Sequence, residues 1–142
     1  MARNDLPSGH KLSMAGEDYL EAIYRIAVER GDDVVDGVRS VDVAEQLGVS
    51  KASVSKALSL LREAGMIEQA RYGRVTLTGP GREYARRVWR SHRALRAFLI
   101  RDLGVDTKVA DEEACLMEHY LSEETIDRWC DYLEREGHSI ES

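Results

Sequence analysis

Between residues 40 and 78 the chain spells a short helix, a glycine, a second helix and an alternating stretch in immediate succession. Ser40 is a good N-cap for a helix over Val41 to Leu47. Gly48 closes that helix, because a residue without Cβ tolerates the left-handed backbone on which helices end. Ser50 caps the next helix, Lys51 to about Ala64, whose Val54, Leu58, Leu60 and Leu61 recur at helical spacing and so face inward. Gly65 stops it. From Met66 to Thr78 apolar and polar residues alternate, which predicts two short strands around a turn near Tyr72 and Gly73. Val43, Ala44, Leu47, Val49, Val54 and Leu58 supply the apolar contacts that lock two helices across a tight turn. This is the spacing of a helix-turn-helix with a wing behind it.

Helices flank this segment on both sides. Residues 1–13 read as a loose polar tail. From Met14 to about Arg30 the residues Tyr19, Leu20, Ile23, Tyr24 and Ile26 form an apolar stripe. An acidic, glycine-containing loop over 31–40 follows. Thr78 caps a long helix to about Asp102, with Tyr84, Val88, Leu95, Phe98 and Leu99 as its apolar positions, and Gly104 breaks it. Helices over 107–120 and 122–136 complete the pattern, the last capped by Ser122 and closed by Gly137. The expected fold is mainly α: an N-terminal winged helix-turn-helix with a small β-hairpin wing, then a helical domain. The expected division is a tail over 1–13, a winged-helix domain over 14–79, and a connecting helix with a helical domain over 80–142.

The chain has 142 residues, enough for a core without disulfide staples. Its two cysteines, Cys115 and Cys130, cannot make a disulfide framework, so a reducing cytoplasm is expected. No run of about 18 apolar residues is present, which excludes a membrane helix, and the polar N-terminus is not a secretory signal.

Net charge is −6, and it is unevenly spread. Residues 50–101 carry twelve basic and three acidic side chains, whereas residues 102–142 carry three and thirteen. A basic middle before an acidic end suggests two surfaces, one for phosphates and one for cations; solvated helices would produce the same segregation. The front of the second helix of the helix-turn-helix is rich in small polar and basic residues: Ser50, Lys51, Ser53, Ser55 and Lys56. Short side chains let a helix approach the major groove, and hydroxyls and helix N-terminal N–H groups reach phosphates or base edges. Arg71 and Arg74, beside the wing tip, would grip the flanking backbone. The expected partner is double-stranded DNA, read largely through phosphates and groove shape, since no Arg or Asn heads this helix.

A second constellation points to metal. Cys115, Glu118 and His119 stand at i, i+3 and i+4, and so share a helix face. Thiolate, carboxylate and imidazole are all metal ligands. Asp18 and Glu21 stand at i, i+3 on the first helix, and His92 lies along the long one. Six such side chains on three helices can converge as ligands do in helical bundles. Each piece has a plainer reading: a solvated acid pair, a packed imidazole, a buried thiol. Cys130, between Trp129 and Tyr132, reads as a small core residue, and His10 and His138 read as solvated. No H-E-x-x-H, phosphate loop or G-x-S-x-G is present, so no enzyme and no small organic substrate is expected.

The order E-D-Y-L-E-A-I-Y, then a winged helix-turn-helix ending R-V-T-L-T, then R-S-H-R, then D-E-E-A-C-L-M-E-H-Y-L-S resembles the diphtheria-toxin-repressor family of metal-dependent transcription regulators. The likeness runs from about Met14 to Arg135. It implies a DNA-binding domain, a helical dimerisation domain that makes a homodimer, and a divalent metal, Mn(II) or Fe(II), that activates operator binding upstream of metal-uptake genes. The resemblance carries ligand roles onto Asp18 and Glu21, as in the manganese type, onto Cys115, as in the iron type, and onto His92, Glu118 and His119, as in both. At the family's ancillary positions this chain has Arg96 and Asp111, of which Asp111 is a further candidate. The resemblance is to the shorter, manganese type, for which no third, SH3-like domain is expected. The implied mechanism is a population shift, in which metal sets the spacing of two recognition helices. The alternatives are a winged-helix regulator with a degenerate metal site that senses another signal, and a small metalloenzyme.

Overall fold

The computed structural model describes residues 12–30, 37–69 and 73–137. Among these are six helices and two strands: α1 (Met14–Glu29), α2 (Ser40–Leu47), α3 (Lys51–Glu63), β1 (Ile67–Gln69), β2 (Val75–Leu77), α4 (Gly79–Arg101), α5 (Thr107–Tyr120) and α6 (Glu123–Arg135). The chain is thus mainly helical with a two-stranded antiparallel hairpin after the helix-turn-helix, as its patterning requires. The tail, part of the 31–40 loop, the tip of the wing with Arg71, and the segment holding His138 lie outside the described residues.

Local chemistry sets most boundaries. Ser13 caps α1, accepting the Gly16 N–H at 3.0 Å. Ser50 caps α3 by accepting the Ser53 N–H at 3.1 Å, and Ser122 caps α6 by accepting the Thr125 N–H at 3.1 Å. The Thr78 hydroxyl accepts the Gly81 N–H at 3.0 Å and donates to the Gly65 carbonyl at 2.7 Å, so it ties the start of α4 to the turn after α3. Ser40 departs from expectation. It is the first residue of α2, and the N-cap is Arg39, which makes no side-chain cap.

The described residues divide into two compact units, Leu12–Arg86 and the chain from Arg87 onward. The first core is built from Leu20, Ile23 and Ile26 of α1, Val43 of α2, Val54, Leu58 and Leu61 of α3, and Ile67 and Val75 of the hairpin. Ala85 is buried in that core with Tyr84 packed against it, which is why the unit reaches into α4 rather than ending at residue 79. The hairpin pairs Ile67 with Leu77, Glu68 with Thr76 and Gln69 with Val75. Val38, from the end of the loop before α2, adds a bridge to Val75 through two backbone hydrogen bonds of 2.7 and 2.9 Å. That segment therefore widens the wing sheet.

The second core comprises Ala94, Leu95 and Leu99 of α4, Ala110 and Ala114 of α5, and Ile126, Cys130 and Leu133 of α6. Cys130 is fully buried, and burial pushes its thiol pKa up. The basic helix and the acidic end of the chain meet here. Arg87 pairs with Glu123 and Asp127 at 3.4 and 3.3 Å, Arg90 with Glu134 at 2.8 Å, and Arg96 with Asp111 at 3.3 Å. Part of the charge segregation is an internal match between α4 and the helices after it, through these three arginines. No helix among the described residues is long and apolar enough to cross a membrane.

Candidate functional site

The reading face comes first. α3 buries Val54, Leu58 and Leu61. By helical geometry this turns Lys51, Ala52, Ser53, Ser55 and Lys56 outward, and all five are exposed. Two of the hydroxyls are already committed to the helix start: Ser50 Oγ, besides accepting the Ser53 N–H, donates to Ser53 Oγ at 3.0 Å. Behind α3 the wing is braced by a relay, in which Arg62 donates to Gln69 Oε1 at 2.8 Å and Gln69 Nε2 donates to the Arg74 carbonyl at 3.4 Å. Arg74 itself is half-buried.

The metal-type residues fall into two sets, one in each unit. In the first unit Asp18 is exposed and Glu21 half-buried. They line one open groove between α1 and α2 together with Arg25, Glu29 and Gln46, and Arg25 stands 4.0 Å from the Glu21 carboxylate. In the second unit Glu118 is 5% exposed, and Cys115 and His119 beside it on α5 are half-buried. A carboxylate that deep needs charge or hydrogen-bond compensation. His92 reaches from α4 to α5, where its Nε2 lies 3.0 Å from Asp111 Oδ1. Within either unit the described residues gather no three His, Cys, Asp or Glu side chains into a cluster that could hold an ion. The donor chemistry of the second unit, with two imidazoles, a thiol and a buried carboxylate on α4 and α5, suits a divalent transition ion.

Two residues gain weight that sequence alone gave only faintly. Asp111 is engaged with both His92 and Arg96; the resemblance and its position one turn before Cys115 offered it only as a further candidate ligand. Val38 joins the wing, and a lone apolar residue after an acidic loop carried no such hint.

Two family models match in tandem. One, the iron dependent repressor N-terminal DNA binding domain, matches residues 11–75; the other, the iron dependent repressor metal binding and dimerisation domain, matches residues 78–139. The chain belongs to the iron-dependent repressor family. Within that family, the transcriptional regulator MntR of Salmonella typhimurium is 34% identical over 125 residues, 88% of this chain and 76% of that protein. The solved manganese regulator SloR has a TM-score of 0.71 at 28% identity, covering 84% of this chain and 53% of its own. A manganese-dependent transcriptional repressor in complex with manganese has a TM-score of 0.67 at 34% identity, covering 84% and 52%. The chain spans about half the length of these two solved proteins. The relatives that match are repressors and transcriptional regulators.

Proposed function

We propose that this chain is a divalent-metal-dependent DNA-binding transcriptional regulator that acts in the cytoplasm as a homodimer and represses metal-uptake genes. One observation carries the reading: the tandem family match falls on a winged helix-turn-helix whose second helix exposes Lys51, Ser53, Ser55 and Lys56. Operator DNA receives α3 in its major groove, where small side chains permit close approach and the two lysines neutralise phosphates. Arg71 and Arg74 hold the flanking backbone.

The residues that would hold the metal are Asp18 and Glu21 of α1, His92 of α4, and Cys115, Glu118 and His119 of α5. Carboxylates suit Mn(II), while imidazole and thiolate extend the set to Fe(II). Two of the solved relatives are manganese regulators, which favours Mn(II). A bound divalent cation would supply the positive charge that offsets repulsion among carboxylates and a thiolate. The second copy of the chain has apolar surface to meet: Leu103, Val109, Leu116 and Tyr120 are large and exposed, and all lie in the segment matched by the dimerisation model.

Glu118→Ala and His119→Ala should abolish Mn(II)-stimulated binding to promoter DNA in anaerobic gel shifts, while the variants remain folded dimers by sedimentation. A shift that responds to metal as in the parent protein would overturn the ligand assignment. Calorimetry showing no uptake of Mn(II) or Fe(II) would instead favour a winged-helix regulator that senses another signal.

A further inference from the structure

We infer that Asp111 is a positioning residue for His92. It holds the imidazole as the Nε2–H tautomer, so that Nδ1 is the nitrogen offered to a metal. The metal part of this inference rests on the function proposed above; the tautomer part does not.

Three observations converge on the ring. His92 Nε2 lies 3.0 Å from Asp111 Oδ1. The same carboxylate oxygen stands 3.3 Å from Arg96 Nε, and a carboxylate oxygen set between nitrogen donors is an acceptor-only partner. An acceptor-only partner requires a proton on the nitrogen that faces it, so a neutral His92 carries its hydrogen on Nε2 and its lone pair on Nδ1. The plane of the ring is fixed as well. His92 stacks on Trp89, with centroids 6.2 Å apart and planes inclined by 14°, and the Arg93 guanidinium stands 5.3 Å from the Trp89 ring.

The sequence makes this economical. Trp89, His92 and Arg96 are at i, i+3 and i+7 on α4, hence on one face. Asp111 sits one turn before Cys115 on α5. Asp111 thereby joins α4 to α5 through two contacts on one oxygen, and its contact with Nε2 leaves Nδ1 as the ring's other nitrogen. A carboxylate that orients a ligating histidine through its other nitrogen is a recurrent device in metal sites. On this reading Asp111, a further candidate ligand by the resemblance, is instead the residue behind the ligand.

The test uses metal-free protein with 15N-labelled histidine, at a pH above the ordinary imidazole range of about 6.5. Long-range 1H–15N spectra, with His92→Gln to assign the ring among the four histidines, should show His92 protonated at Nε2. Asp111→Ala should give a mixture of tautomers, and Asp111→Asn, whose amide oxygen still accepts, should restore the Nε2–H form. In Mn(II) calorimetry Asp111→Ala should weaken binding by about 10- to 100-fold at unchanged stoichiometry, with Asp111→Asn closer to the parent. A parent protein protonated at Nδ1, or a tautomer indifferent to Asp111→Ala, would overturn the inference. Loss of a whole equivalent of Mn(II) in Asp111→Ala would also overturn it, by making Asp111 a ligand. If the parent takes up no Mn(II), the metal reading fails while the spectra still decide the tautomer.

Discussion

One missing Cβ sets how the wing meets the long helix. Gly81 lies buried in the first turn of α4, and a Cβ there would stand 1.9 Å from the carbonyl oxygen of Met66. That oxygen already accepts the Thr78 N–H at 3.0 Å, so two consecutive turns of chain close on one backbone atom. A backbone carbonyl cannot rotate away as a side-chain tip can. Gly81→Ala should therefore destabilise the first unit by about 3 kcal/mol, the upper range for overpacking, seen as a lowered urea midpoint. A midpoint unchanged from the parent would mean that the Thr78–Gly81 turn can shift freely. From the sequence only Thr78 marks this helix start, and Gly81 is assigned no role. The demand for Gly81 comes from Met66, fifteen residues earlier in the chain, and no local pattern carries it.

At the scale of elements, what was legible is what is local. Ser50, Thr78 and Ser122 cap the helices they were expected to cap, because a cap needs only a hydroxyl and N–H groups three residues on. The start of α2 shows where this ends. There Asp42, in the first turn, takes Arg39 from three residues before it and Arg30 from the end of α1, and no side chain caps the helix start. The Arg39 hydrogen bonds, with those of Arg30, hold the Asp42 carboxyl below its usual range against the opposing pull of burial. A carboxylate whose folded pKa is depressed stabilises the fold above its unfolded pKa, and that stability is lost as the pH falls through the folded value. Asp42→Asn should thus lower stability at neutral pH by about 1 kcal/mol, the scale of a partly exposed ion pair. Thermal melts of the two proteins should converge as the medium is acidified. A gap that persisted into strong acid would show that shape, not charge, makes Asp42 matter.

For the molecule as a whole, the question is which positive charges remain to meet a polyanion. Counted along the chain, residues 50–101 look uniformly basic. Folding sorts them, since Arg87, Arg90 and Arg96 of α4 are engaged by carboxylates of α5 and α6, whereas Lys51 and Lys56 stand exposed on α3. The sequence could show the excess but not its division, because the pairing partners lie tens of residues downstream. Of the six metal-type side chains, Cys115, Glu118 and His119 share a helix face by local spacing, the same kind of signal that marks the caps. The contact of His92 with Asp111 is long-range and was not legible. Salt dependence separates the two classes of arginine and lysine. Each phosphate neutralised on binding releases counterions and steepens the fall of log K with log salt. Lys51→Ala should weaken binding to promoter DNA and reduce that slope by about one unit, at unchanged metal affinity. Arg90→Ala, which removes a guanidinium 2.8 Å from Glu134, should leave the slope untouched. If Arg90→Ala flattened the slope as much as Lys51→Ala does, the basic long helix rather than α3 would be gripping DNA, and the division of charge argued from the ion pairs would be wrong.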